Sequence, residues 1–216
     1  MHANVVQMSG LSKDDAIDLR TPPSTPPKKK KRKKVVVPQR RSSRVRSLCQ
    51  MLLRHEVSAN GDCLYISVLK ASKKKGLAPG TKCGTPTELR AYVLKNIDKV
   101  IKDNNLEVFF PNDVLDGVKR RLALGLEPKS GMVPDNAWGG ESEIQIMARL
   151  FNIKIVSVSF PEDRVVNNMD ITGDENEIIL AYMNDNHYDW AEYSAGATTE
   201  KINECIRKKK KLYLKF

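Results

Sequence analysis

One cysteine lies in a setting that suggests chemistry. Cys63 follows the turn-forming run Asn60-Gly61-Asp62, and a histidine, His187, lies far downstream with Asp189 two residues after it. A reactive cysteine and a histidine distant in sequence are a common nucleophile and general base. The residue types therefore predict thiol-based acyl transfer.

The residues after Cys63 predict a buried helix that begins at the cysteine. Apolar side chains recur at Leu64, Ile66, Val68 and Leu69, a spacing typical of a buried helix. A helix N-terminus carries about half a positive charge and unpaired N–H groups, and both favour a thiolate. The backbone N–H groups of Gly61, Asp62 and Cys63 are candidate donors to a developing oxyanion.

His187 follows an apolar run, 177–183, that predicts a buried strand. If the chain continues as a second strand, alternation places His187 and Asp189 on one face. The carboxylate then bonds one ring nitrogen and leaves the other to face Cys63, as in papain-like proteases. Taken alone, a cysteine is more often a small buried hydrophobe, and His-x-Asp is a weak signal.

Three blocks together are far more specific than any one of them. Asn60-Gly61-Asp62-Cys63-Leu64-Tyr65, Trp138-Gly139-Gly140-Glu141 and His187-Tyr188-Asp189 resemble, in order and spacing, the signature blocks of the ovarian-tumour (OTU) family of cysteine proteases. The resemblance covers roughly residues 50 to 194. It implies an α+β fold with a small central β-sheet packed between helices.

The resemblance also implies a function and a set of roles. OTU proteins cleave ubiquitin, and sometimes ubiquitin-like modifiers, from substrate lysines, and they need no metal or cofactor. Cys63 is then the nucleophile, His187 the general base and Asp189 the residue that orients it. Ubiquitin or polyubiquitin is the expected partner.

The first block departs from the family pattern in one respect. The family usually has Asp-Gly-Asn-Cys, whereas Asn60 and Asp62 exchange the two polar types here. In the family the first residue braces the loop that forms the oxyanion hole, to which Gly61 and Asp62 are assigned. Asn60 keeps a carbonyl acceptor but loses the charge, which predicts a weaker brace in an active enzyme.

Other segments predict the elements that position these residues. Thr85-Pro86-Thr87-Glu88 has the form of a capping box that opens a helix, and a second helix is expected from about Asn112. A third helix covers 141–152, and a strand follows at 153–160. The glycines of the Trp138 block permit close approach, either for packing on the Cys63 helix or for a substrate tail.

Charge divides the chain into three parts. Residues 1–50 contain 13 Lys and Arg against 3 Asp, residues 207–216 contain 6 Lys and Arg and no acid, and residues 51–206 contain 18 against 23 Asp and Glu. We expect a disordered basic tail at 1–47, a protease domain at 48–196 and a basic C-terminal tail at 197–216. The acidic middle part suits a partner with a basic surface, although a solvated acidic surface explains it equally well.

Composition also limits the cellular setting. No apolar run approaches the roughly 18 residues that span a bilayer, so no membrane association is expected. The four cysteines, Cys49, Cys63, Cys83 and Cys205, lack the spacing of a zinc site or a disulfide framework, so we expect free thiols in a reducing compartment. The spacing of Ile202, Cys205 and Ile206 predicts one helical face, where packing is the expected role of Cys205.

The basic run 28–34 resembles a nuclear-localisation signal. It predicts a nuclear or nucleocytoplasmic protein that binds an import receptor, while weak nonspecific binding of nucleic acid by the tails is the physical alternative. Two functions of other classes are the alternatives. A nucleic-acid-binding protein with an OTU-like scaffold is disfavoured because the positive charge lies in the tails and not on a patterned element. A ubiquitin-binding pseudoenzyme is disfavoured by the intact Cys63, His187 and Asp189. The compact core with short tails also looks like OTU proteins of large DNA viruses.

Overall fold

The computed structural model describes residues 47–126, 132–167, 171–183 and 187–213. These residues contain a five-stranded sheet in the order β1-β5-β4-β2-β3. The strands are β1 Leu52–His55, β2 Lys154–Ser159, β3 Arg164–Val165, β4 Glu177–Met183 and β5 His187–Tyr193. The α-helices are α1 Leu48–Met51, α2 Cys63–Lys74, α3 Pro86–Asp103, α4 Asn112–Leu124, α5 Glu141–Phe151 and α6 Thr199–Tyr213, and a 3₁₀ turn covers Asp135–Ala137.

The sheet is mixed and is covered by helices on both faces. Strands β2 and β4 are parallel, and the other neighbouring pairs are antiparallel. Side chains alternate along β4, so Ile178 and Leu180 join a core with α2, α3 and α5, whereas Ile179 and Ala181 join a core with α1 and α6. This arrangement confirms the predicted α+β class with a small central sheet between helices.

The helices near the candidate site begin where the sequence predicts. Helix α2 begins at Cys63. Helix α3 has Pro86 in its first turn, and the Thr85 hydroxyl accepts the Glu88 N–H at 3.2 Å. The Glu88 carboxylate accepts the Gly84 N–H at 2.6 Å, so it does not complete the expected reciprocal capping box.

Helix α6 corrects the predicted domain boundary. Residues 197–216 were expected to form a tail, but this helix buries Ile202, Cys205 and Ile206 in the same core as Leu48 and Met51. The shared face of these three residues confirms the packing role predicted for Cys205. The folded domain therefore extends past residue 196, because one face of a very basic segment is apolar.

The structure also bears on the predictions about the cysteines and about membrane-spanning segments, but not on the prediction for the N-terminal tail. All four cysteines are free thiols. Within the described ranges, no helix is long and apolar enough to cross a membrane. The run 28–34 and the rest of the tail before Ser47 lie outside the described residues.

Candidate active site

Cys63 is the first residue of α2 and is 5% exposed. Burial raises the pKa of its thiol above the ordinary value, and the negative charge of Asp189 adds to this rise. Backbone hydrogen bonds from Tyr188, Leu64 and Cys63 itself oppose the rise by favouring the thiolate. The helix N-terminus therefore helps the thiolate as predicted, but desolvation outweighs it.

The backbone of Tyr188 connects the cysteine helix to the histidine strand. Its N–H contacts the Cys63 sulfur, and its carbonyl oxygen accepts the Ser67 hydroxyl at 2.9 Å. Ser67 is fully buried in α2. These two contacts hold α2 against β5 at the residue that follows His187.

His187 and Asp189 lie on one face of β5, as predicted. The distance from His187 Nε2 to Asp189 Oδ1 is 2.9 Å, and Asp189 is 1% exposed. Because an ionised carboxylate only accepts hydrogen bonds, the imidazole donates from Nε2. The other nitrogen, Nδ1, then carries the lone pair of a general base.

Strand β1 and the residues that follow it hold Asp189, and sequence reasoning missed this role. The Val57 N–H donates to Asp189 Oδ1 at 2.9 Å, and Arg54 Nη1 lies 3.4 Å from Asp189 Oδ2. Arg54 belongs to β1, which pairs with β5. No local signal marks Arg54, since its role depends on strand pairing across more than 130 residues.

The three residues before Cys63 form a braced loop. Asn60 Oδ1 accepts the Asp62 N–H at 3.2 Å, and the Asn60 carbonyl oxygen accepts the Val133 N–H at 3.1 Å. The Asp62 N–H is therefore engaged within the loop, which corrects its prediction as an oxyanion donor. The Asp62 carbonyl accepts the Ile66 N–H at 2.9 Å. Since the peptide is planar, the Cys63 N–H points away from that carbonyl.

Gly61 is required in this loop by its conformation and by its neighbours. Its φ is +85°, in the region that favours glycine. A Cβ there would lie 2.6 Å from Trp138 Nε1 and 2.7 Å from the Val133 carbonyl oxygen. That indole nitrogen donates to the same oxygen at 3.3 Å. The Trp138 block thus packs directly on the cysteine loop.

The two glycines after Trp138 have different surroundings. A Cβ on Gly139 would lie 2.7 Å from Leu64 Cδ2 and 3.0 Å from the Tyr65 ring, whereas a Cβ on Gly140 would meet nothing within 4 Å. Gly139 therefore serves packing on α2. Gly140 borders open space, so the second predicted role, room for a substrate tail, still applies to Gly140.

In the part of the chain that the structure describes, no three His, Cys, Asp or Glu side chains are grouped closely enough to hold a metal ion. The chemistry available to Cys63, His187 and Asp189 is that of a thiol, an imidazole and a carboxylate. This set is suited to nucleophilic attack on an acyl carbon.

Comparison with solved structures finds OTU domains, the family that the sequence motifs resemble. The Hazara virus OTU bound to ubiquitin is 17% identical, with a TM-score of 0.44 over 69% of this chain and 86% of that chain. An OTU domain in complex with ubiquitin is 19% identical, with a TM-score of 0.45 over 73% and 83%. An OTU deubiquitinase from Wolbachia pipientis wMel is 12% identical, with a TM-score of 0.44 over 71% and 95%. No protein-family model and no curated protein matches the chain.

Proposed function

We propose that this protein is an OTU-type cysteine protease that hydrolyses the bond after the C-terminal glycine of ubiquitin. The observation that carries the proposal is the 2.9 Å contact between His187 Nε2 and Asp189 Oδ1 on β5. The residue between them, Tyr188, makes a backbone hydrogen bond to the Cys63 sulfur. These three residues occupy the nucleophile, base and orienting positions of the OTU-like blocks. An intact set of all three favours an enzyme over a ubiquitin-binding pseudoenzyme.

The proposed reaction begins with proton transfer from the thiol. His187 accepts the Cys63 proton at Nδ1, and the sulfur attacks the carbonyl carbon of the terminal glycine. The oxyanion forms near the Cys63 N–H at the start of α2. When the carbon–nitrogen bond breaks, His187 returns the proton to the lysine amine, which leaves, and a thioester remains on Cys63.

The second half of the reaction restores the enzyme. His187 removes a proton from water, and the hydroxyl attacks the thioester carbon. The carbon–sulfur bond breaks, the glycine leaves as a carboxylic acid that loses its proton to solvent, and the sulfur regains its proton from the imidazolium. Asp189 keeps the Nε2–H tautomer throughout, so that Nδ1 remains the basic nitrogen.

The raised pKa of the Cys63 thiol is consistent with a mechanism that needs His187 in the attack. A thiol that is mostly protonated near neutral pH requires a base to generate the nucleophile. The base is on β5, and its carboxylate partner is held by the Val57 N–H at 2.9 Å and by Arg54 at 3.4 Å. A fixed imidazole meets that requirement.

A ubiquitin probe with an electrophile at its C-terminus tests the proposal. We expect the full-length protein to form a covalent adduct that increases its mass by one ubiquitin. The adduct should be absent from Cys63→Ala and present in Cys83→Ala, which changes a second cysteine that is also 5% exposed. Absence of the adduct in the parent protein, or its persistence in Cys63→Ala, contradicts the proposed function.

We also propose that the basic run 28–34 directs the protein to the nucleus through an import receptor. Seven consecutive Lys and Arg residues in this run support nuclear import. The same charges attract nucleic acid weakly and without sequence preference. Neither role involves the catalytic residues.

A further inference from the structure

Arg90 is the largest fully buried side chain in the described part of the chain, and the mechanism above does not use it. It is 0% exposed and belongs to α3, on the same face as Val93 and Ile97. A buried guanidinium is costly unless its N–H groups are paired. Its partners therefore indicate why an arginine occupies this position.

Most of these partners belong to the cysteine loop and to the segment packed on it. Arg90 Nε donates to Asp62 Oδ1 at 2.8 Å, and Nη2 donates to the Gly61 carbonyl oxygen at 3.3 Å. Nη1 donates to the Ala137 carbonyl oxygen at 3.0 Å and to that of Arg121 at 3.3 Å. One side chain thus joins the loop before the nucleophile to the segment before Trp138.

Tyr65 supports the guanidinium from one side. The Arg90 Cζ lies 3.9 Å from the centroid of the Tyr65 ring, a distance at which the aromatic face attracts the cation. Tyr65 is in the first turn of α2, two residues after Cys63. The planar group therefore has a fixed orientation as well as fixed partners.

The peptide between Gly61 and Asp62 is held at both ends by these contacts. Its carbonyl oxygen accepts from Arg90, and its N–H donates to Asn60 Oδ1 at 3.2 Å. Gly61, with φ at +85°, imposes little resistance to rotation of this peptide. Loss of the arginine contact would leave the carbonyl free to turn toward the nucleophile, where it would repel an oxyanion.

We infer that Arg90 is a positioning residue that locks the Gly61–Asp62 peptide, and with it the Cys63 N–H, in the orientation that receives the oxyanion. This inference rests on the proposed function. It also accounts for the exchanged polar residues of the first block. The carboxylate of Asp62 stands where the family usually has an amide, and here it is the charged partner of a fully buried arginine.

The experiment compares three single variants in hydrolysis of a fluorogenic ubiquitin C-terminal amide. Arg90→Lys keeps the charge but loses the planar fork, and Asp62→Asn keeps an acceptor but loses the charge. We expect each to lower kcat by about 10-fold, a part of the roughly 10²- to 10³-fold worth of an oxyanion donor, with KM within about 2-fold. Alkylation of Cys63 by iodoacetamide needs no oxyanion hole, so its rate should stay within about 3-fold.

Arg121→Lys is the matched control. Arg121 Nε pairs with the fully buried Glu143 at 2.8 Å, and this side chain makes no described contact with residues 60–63. We expect its kcat within about 2-fold of the parent value. If this variant loses as much kcat as Arg90→Lys, the effect is general destabilisation and the inference is wrong.

The remaining outcomes separate this inference from the proposed function. An active parent enzyme with unchanged kcat in Asp62→Asn and Arg90→Lys overturns the role of Arg90 alone. An inactive parent enzyme overturns both. If Arg90→Lys does not fold, as judged by circular dichroism, Asp62→Asn decides, because it removes the charge of the carboxylate that orients the guanidinium toward the Gly61 carbonyl and hardly changes the side-chain volume.

Discussion

At the scale of single residues, the chemistry depends on which cysteine is placed against β5. Cys63 and Cys83 are equally buried, at 5% exposure. The backbone of Tyr188 on β5 lowers the thiol pKa of Cys63 through a hydrogen bond, and it has no such effect on the pKa of Cys83. Both pKa values are raised by burial. Position relative to His187, rather than intrinsic acidity, therefore distinguishes the proposed nucleophile, Cys63, from Cys83.

The first prediction concerns the catalytic residues. Cys63→Ala and His187→Ala should abolish cleavage of ubiquitin conjugates, while Asp189→Asn should leave residual activity after a loss of about 10²- to 10⁴-fold, because Asp189 acts through His187. Initial rates of ubiquitin release measure this. Cys83→Ala and Cys49→Ala are the controls, and loss of activity in either with retention in Cys63→Ala would refute the assignment.

The second prediction concerns the brace at Asn60. Removal of its side chain frees the Asp62 N–H, so Asn60→Ala should lower kcat more than it raises KM, by part of the roughly 3 to 4 kcal/mol of an oxyanion donor. Asn60→Asp keeps the acceptor and should be tolerated. Asn96→Ala is the control, because the Asn96 side chain also makes one hydrogen bond to the backbone, donating to the Tyr92 carbonyl at 2.7 Å, but within α3. An unchanged kcat in Asn60→Ala would remove Asn60 from the site.

The third prediction follows from the raised pKa of the Cys63 thiol. A thiol reacts as the thiolate, and the thiolate fraction increases with pH until the pKa is passed, so the raised pKa of Cys63 extends the rise in reactivity to higher pH than for an ordinary cysteine. The rate of Cys63 alkylation by iodoacetamide should therefore still rise with pH at pH 9. Mass spectrometry of the labelled peptide measures it, with Cys63→Ala as the blank. A plateau near neutral pH would instead indicate a stable thiolate–imidazolium pair with His187.

At the scale of elements, the sequence predicts those with strong local patterns. Helices α2, α3 and α5 and strand β4 show clear apolar spacing, and α3 also has the Thr85-Pro86 start. Strand β1 has four residues, of which only Leu52 is buried, so nothing local predicts its pairing with β5. The spacing of Ile202, Cys205 and Ile206 indicates one apolar helical face, but the basic run that follows them favoured a tail for the whole of 197–216.

Arg90 contacts the candidate site, although no sequence motif identifies it. It lies outside the three OTU-like blocks, in the helix that begins after Thr85. A signal was present, since Arg90 shares the apolar stripe of α3 with Val93, Ile97 and Ile101, all of which are buried. An arginine in such a stripe needs buried acceptors. The identity of those acceptors depends on tertiary packing and is not encoded locally.

The fourth prediction concerns α6. Ile202 is fully buried, so Ile202→Ala should lower the free energy of unfolding by about 2 to 5 kcal/mol. Thermal and denaturant unfolding measure this, and the exposed Arg207→Ala is the control. A fragment that ends at residue 200 lacks nearly all of α6 and should be far less stable than one that ends at 213. Equal stability of the two fragments would show that α6 is dispensable.

At the scale of the whole molecule, charge is divided between parts with separate proposed roles. Residues 51–206 carry an excess of acids, whereas residues 1–50 carry a net charge of +10. Ubiquitin's C-terminal tail carries arginines, so the acidic part is suited to attract it, and the basic segment is suited to phosphates or an import receptor. Such long-range effects weaken as salt increases.

The fifth prediction separates these parts. A fragment covering 47–213 should keep full activity on a ubiquitin substrate, because it contains every described element including α6, yet it should lose nuclear accumulation. Replacing Lys28 through Lys34 by neutral residues in the full chain should reproduce the loss of localisation and leave the activity unchanged. Salt-sensitive affinity for DNA should fall in both, with a log–log salt slope nearer zero as basic contacts are removed. Fluorescence microscopy and binding at two salt concentrations measure these effects. A folded but inactive 47–213 fragment would mean that residues outside it belong to the catalytic unit.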